Sequence, residues 1–149
     1  MRRALTAPVA VLPLPAGTEV AEFDASVAPE CRTLMNEVYA VSEGEAPTDF
    51  AAWWPRLIAD SEFDPRLVFV VRAEGRLVGY CHGWTVPFVK DLVVAADQRG
   101  RGLGGALLTR LLAEYRARGA TSVDLKTAAT NFTAQRLYRQ LGFEIVTEA

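Results

Sequence analysis

Apolar residues recur along the first half of the chain at two different spacings. Cys31, Leu34, Met35 and Val38 fall at i, i+3, i+4 and i+7, the stripe of a helix that Pro29 opens at its first position and that runs to about Tyr39. The polar stretch Ser42-Glu43-Gly44-Glu45-Ala46-Pro47 ends it. Thr48 or Asp49 then caps a second helical stretch carrying Phe50, Trp53, Trp54, Leu57 and Ile58, which Pro55 is expected to kink or split. Leu67 to Arg72 and Leu77 to Trp84 are rich in β-branched and aromatic residues and flank Glu74-Gly75-Arg76, which predicts a β-hairpin. Phe88 to Val94 reads as a further apolar strand. Val9 to Leu14 and Thr18 to Phe23 are short extended candidates on either side of the turn sequence Pro15-Ala16-Gly17.

The second half alternates more regularly. A glycine-rich run over 95–105 leads into a helix whose apolar face is Leu107, Leu108, Leu111, Leu112 and Tyr115, with Gly119 as its stop. Val123 to Lys126 is a strand. Asn131 opens a last helix with Ala134, Leu137, Tyr138 and Leu141 on one stripe, Gly142 ends it, and Phe143 to Val146 starts a final strand. Hairpin-linked strands followed by strand-helix-strand-helix-strand predict an α/β (α+β) sheet with both antiparallel and parallel neighbours. The 149 residues are read as one domain, with 1–15 as an extra N-terminal extended segment.

Composition narrows the function. Half of the residues are hydrophobic and 23% are charged, which excludes a disordered chain, and a net charge of -2 argues against a general nucleic-acid binder. The charge is unevenly spread: up to Gln98 there are 8 Lys or Arg against 14 Asp or Glu, and from Arg99 onward 8 against 4. Two cysteines without a Cys-x-x-Cys pair, together with the single His82, make neither a disulfide framework nor a zinc site, so no metal and a reducing, cytoplasmic compartment are expected. Pro8, Pro13 and Pro15 break the apolar start well short of a membrane span, so no membrane association is expected.

Closely spaced glycines between a strand and a helix let backbone N–H groups turn inward, and the helix N-terminus adds partial positive charge. Such a loop holds phosphate. Arg99 and Arg101 stand in it to add charge-assisted contacts. Gly100-Arg101-Gly102-Leu103-Gly104-Gly105 formally satisfies G-x-G-x-x-G, and Asp124 imitates the ribose-binding acid of a dinucleotide fold. Yet the glycines lie well beyond Val94, and hairpins precede the motif. No Gly-Lys-Ser/Thr follows, so a Walker loop is excluded.

Arg99-x-x-Gly102-x-Gly104 after Val93-Val94 resembles the R/Q-x-x-G-x-G/A acyl-CoA signature of the GNAT family of N-acetyltransferases. Asn131, Ala134 and Tyr138 on a helix that runs into Leu141-Gly142-Phe143 look like the family's other C-terminal motif. The resemblance implies a mixed, mostly antiparallel sheet flanked by about four helices and splayed between the strands at 88–94 and 122–127, with acetyl-CoA in the gap. By similarity, pantetheine pairs with the backbone of Leu92, Val93 and Val94, and amides from Arg99, Gly100, Arg101, Gly102, Leu103, Gly104 and Gly105 hold the pyrophosphate. Asn131 caps its helix or contacts the cofactor, or does both.

The implied reaction is acetyl transfer to a primary amine, of a small molecule or a peptide, by direct attack in a ternary complex. Tyr138 is the general acid by resemblance, and its plain reading is a core aromatic on the stripe of Leu137 and Leu141. A backbone N–H near Leu92 or Val93 polarises the carbonyl. Asp91 and Glu43 are candidate bases, with ordinary surface carboxylates or a water relay as the alternatives. Glu45, Trp53 and Trp54 are candidates for the acceptor side. His82 is expected to be a hydrogen-bonded structural residue. Two other classes stay open: a non-catalytic acetyl-CoA sensor and an NAD(P)-binding Rossmann-type oxidoreductase. The family's usual last strand, beside Val123 to Lys126, is not seen after Phe143, and Val9 to Leu14 is expected to take its place, within the chain or from the partner of a homodimer.

Overall fold

The computed structural model describes residues 1–146. Its centre is a six-stranded sheet built from β1 (Arg2–Ala4), β2 (Thr18–Ala21), β3 (Val68–Ala73), β4 (Arg76–Trp84), β5 (Phe88–Val94) and β6 (Ser122–Leu125), in the order β1-β6-β5-β4-β3-β2. Every neighbouring pair is antiparallel except β5 and β6. Four α-helices flank it: α1 (Ala28–Ser42), α2 (Phe50–Ala59), α3 (Leu103–Ala117) and α4 (Phe132–Gln140). A mostly antiparallel sheet, with the glycine motif following its one parallel-paired strand β5, does not build the parallel nucleotide-binding unit, so the Rossmann alternative falls.

Local sequence explains most of these elements. The β3–β4 hairpin turns through Glu74 and Gly75, at φ 51° and 76°, the left-handed pair that a type I′ turn requires. Pro29 lies in the first turn of α1, one position later than the sequence suggested, because Val27 is the cap. Asp49 caps α2 through its carboxylate, which accepts from Ala51 N at 3.4 Å. Pro55 neither splits α2 nor ends it. The one N–H it removes would have bonded the carbonyl of Ala51, which is exposed to water.

The two faces of the sheet bury different chemistry. On one face α3 lays Leu103, Leu107, Leu111 and Tyr115 against β4, and a methyl group on Gly79 would come within 2.8 Å of Leu107 Cδ1. The other face carries Tyr80 and His82 under Phe23, Trp54 and Phe63, the aromatic layer between the sheet and α2.

The strand beside β6 is Arg2–Ala4, not Val9 to Leu14. Pro13 removes a ladder donor from the latter segment and Pro8 and Pro15 bound it, and the segment instead crosses α3, where Leu12 N donates to Thr109 Oγ1 at 3.0 Å. Side chains fix the register of β1: Arg2 Nε donates to Asp124 Oδ1 at 2.7 Å and Arg3 Nε to Leu141 O at 2.7 Å. Phe143 to Val146 forms no strand. Within it only Glu144 bridges, antiparallel to Arg2. Among the described residues no helix is long and apolar enough to cross a membrane.

Candidate functional site

The β5–β6 ladder is short. Phe88 pairs with Asp124 and Val89 with Leu125, and there it stops. On the other side of β5 the register against β4 shifts between His82 and Gly83, so that Lys90 is an extra residue on β5. A bulge bends and twists its strand, and this one lies where β5 leaves β6, opening a gap over the remaining length of β5.

Which backbone groups face that gap follows from the alternation of an antiparallel ladder. Ala95 N donates to Val78 O at 2.8 Å, and Val93 is paired with Tyr80, so both turn their amides toward β4. Leu92 and Val94 therefore direct N–H and C=O into the gap. Of the two amides expected to polarise a carbonyl, Leu92 N–H faces the gap and Val93 N–H is spent on β4. The Val94 carbonyl accepts from Arg99 Nε at 3.4 Å.

β5 then runs through a short 3-10 turn, Ala96–Gln98, into the glycine loop. Gly100 and Gly102 take φ 77° and 86°, a region that side chains disfavour, and no side chain caps α3 at Gly102. The N–H groups of Leu103, Gly104 and Gly105 have no intrahelical acceptor and find none elsewhere among the described residues. The loop arginines are engaged within the chain: Arg101 bonds Gln98 Oε1 at 2.5 Å and the carbonyl of Ala16. α4 packs beside the first turn of α3, where a methyl group on Gly104 would meet Leu137 Cδ2 at 3.3 Å. Asn131 caps α4, its Oδ1 accepting from Ala134 N at 3.2 Å.

Tyr138 projects from α4 into a half-buried position, edge-on to Phe143 at 5.9 Å between ring centroids. Burial pushes its phenol up to about 12, and the nearby charges of Asp91 and Glu43 act in the same direction. Asp91 on β5 is paired with His82 on β4. Its Oδ1 accepts from Tyr39 Oη at 2.5 Å, and its Oδ2 is 4.0 Å from His82 Nδ1. His82 is not the hydrogen-bonded residue that the sequence suggested: it is 1% exposed, its Nε2 has no partner among the described residues, and burial lowers it to about 4, so it is neutral at physiological pH. Tyr80 Oη is also buried and has no partner among the described residues. Trp54 belongs to the aromatic layer over Tyr80, stacked on Phe50, whereas Trp53 underlies the guanidinium of Arg32. Glu43 and Glu45 are exposed at the end of α1. Both cysteines are free and fully buried, and burial raises Cys31 to about 12 and Cys81 further. Among the described residues no three His, Cys, Asp or Glu side chains group as metal ligands.

Asp91 and Tyr138 are candidates in the sequence, whereas Tyr39, bonded to Asp91, and Tyr80, beside His82, carry no motif there. Tyr39 follows Met35 by four residues and stands at the end of the apolar stripe, where a ring reads as core. Tyr80, His82 and Trp84 alternate along β4, and that spacing was the available sign that polar-tipped rings share one face.

Residues 19–143 match the family described as Acetyltransferase (GNAT) family. A mycothiol acetyltransferase of Thermobispora bispora is 32% identical over 153 aligned positions, covering 96% of this chain and 52% of that protein. The chain thus spans about half the length of the curated relatives it matches. Among solved structures, a GCN5-related N-acetyltransferase from Sphaerobacter thermophilus superposes with a TM-score of 0.76 at 26% identity, over 95% of this chain and 45% of that one. An aminoglycoside N-acetyltransferase solved with CoA superposes with a TM-score of 0.73 at 15% identity, over 93% and 95% of the two chains.

Proposed function

This chain belongs to the GNAT acetyltransferase family, and we propose that it transfers an acetyl group from acetyl-CoA to a primary amine, of a small molecule or a peptide, by direct attack in a ternary complex. One observation carries the reading: a strand edge at Leu92 and Val94 that no neighbouring strand covers leads, through the turn at Ala96–Gln98, to an uncapped helix N-terminus at Gly102–Gly105. Together they suit a linear ligand whose amide-bearing arm continues into a diphosphate, which is the form of the pantetheine diphosphate of CoA.

The bound cosubstrate would supply the acyl group as a thioester. Leu92 N–H donates to the carbonyl oxygen as it gains charge. Asp91, oriented by Tyr39, takes the proton that the acceptor amine sheds as its bond to carbon forms. Tyr138 Oη gives its proton to the sulfur as the carbon–sulfur bond breaks. A phenol held protonated by burial is suited to that donation.

The test measures thiol release from acetyl-CoA across a panel of amines, with Tyr138→Phe alongside. The substitution should lower kcat by about 10²–10⁴-fold and leave CoA affinity within about twofold. Binding of CoA with no turnover on any amine would instead make the domain a sensor.

A further inference from the structure

Arg32, on α1, is 9% exposed, yet it makes no ion pair with any acid among the described residues. A buried cation without a counter-charge is costly, so its surroundings should show what it is for. They hold it still. Arg32 Nε donates to Asn36 Oδ1 at 3.0 Å, and Asn36 is fixed in turn by the Thr48 backbone, donating from Nδ2 to the carbonyl at 2.9 Å and accepting the amide at 3.1 Å. The Trp53 ring lies against the guanidinium, its centroid 5.3 Å from Cζ. The Nη nitrogens, the outer edge of the fork, have no partner among the described residues, and Arg32 lines a cavity of about 440 Å³ between the start of α1 and the segment leading into α2.

The other polar groups there are already occupied or oppositely placed. Thr33 Oγ1 donates to Pro29 O at 3.1 Å. Asp49 also lines the cavity, but its Oδ1 is turned to the N-terminus of α2 as the cap. Pro29, Pro47 and Phe50 supply apolar walls. A guanidinium whose Nε is fixed and whose outer edge is free matches a planar carboxylate in two parallel hydrogen bonds.

We propose that this cavity is a carboxylate subsite for the acceptor, with Arg32 taking the carboxylate end-on through its two Nη nitrogens; the assignment of the occupant rests on the acetyltransferase reading. α1 presents Arg32, Asn36 and Tyr39 along one face, and Tyr39 bonds Asp91. Seven residues of helix separate Arg32 from Tyr39 by about 10 Å along the axis. The acceptor therefore carries its amine and its carboxylate roughly that far apart, the span of an extended tripeptide.

Tri-alanine as free acid and as C-terminal amide tests this. Arg32→Gln should raise KM for the acid at least about tenfold with kcat within about twofold, and leave KM for the amide unchanged. Asp49→Asn keeps the helix cap and removes the one negative charge on the wall, so it should lower KM for the acid several-fold. Equal effects of Arg32→Gln on acid and amide would overturn the proposal. Should Arg32→Gln fail to fold, the absence of any tightening in Asp49→Asn does the same. Calorimetry of the two peptides on the unmodified protein separates this proposal from the transferase reading. Arg32-dependent preference for the acid with no turnover keeps the subsite and removes the acetyltransferase; no preference for the acid removes the subsite whether or not other amines are acetylated.

Discussion

Tyr138 and His82 are both held in their neutral forms by burial, one by a raised and one by a lowered titration. For Tyr138 the consequence is kinetic. A phenol that keeps its proton to about 12 does not lose it at the ordinary tyrosine value near 10. The rate of the chemical step should therefore stay level from pH 8 through about 10, and an alkaline fall centred at or below 10 would exclude this residue as the donor. For His82 the consequence is stability. The unfolded chain takes up its proton near 6.5 but the folded one only near 4, so over that interval the unfolded state binds more protons and stability drops as pH falls. A gap of that size corresponds to about 3 kcal/mol. Urea midpoints from pH 7 to 4 should fall more steeply for the native sequence than for His82→Phe, and parallel curves would place the acid sensitivity elsewhere. Tyr138 was legible because a motif marked it. Arg32 was not, since one arginine on an amphipathic helix reads as solvated surface until Asn36, Thr48 and Trp53 are seen to enclose it.

Element boundaries followed the sequence closely where side chains alternate or recur on one stripe. Phe88–Val94 has the span expected, and the hairpin, α3 and α4 are where their turn and cap residues put them. The bulge at Lys90 left no such sign, because it is defined by the partner strand and not by its own composition. The glycines of β4 are similar: their reason lies in α3. A methyl group on Gly83 would overlap the Tyr115 hydroxyl, which donates to Trp84 O at 2.5 Å. Gly83→Ala should therefore cost about 1–3 kcal/mol, read as a lowered melting temperature. Adding Tyr115→Phe should recover part of that loss, since it removes the overlapping atom. If the double variant is destabilised by the sum of the two single effects, the strain lies in the backbone of β4 instead.

At the scale of the molecule, charge that is segregated along the sequence is mixed in space. Arg118 of the basic part reaches Asp64 of the acidic part, and Arg2 of the acidic part reaches Asp124 of the basic part. Of the positive charge after Arg99, that of Arg118 is thus already engaged within the chain. β1 joins two distant regions in the same way, covering β6 with its backbone and holding the end of α4 through Arg3 and Leu141. Removing residues 1–5 should bare the β6 edge, lower the melting temperature and promote self-association on size exclusion. An unchanged melting temperature and a single monomer peak would show that β1 contributes little. The expectation that an N-terminal segment lies beside β6 survived, while the choice of Val9 to Leu14 for it failed on its prolines.

The burial of both cysteines has a practical corollary. While the chain is folded, neither sulfur should react with a disulfide dye, so the colour developed in a thiol-release assay would report product alone. In denaturant two equivalents should appear at once. The protein thereby carries its own reporter of global opening, in the same reagent that counts its turnovers.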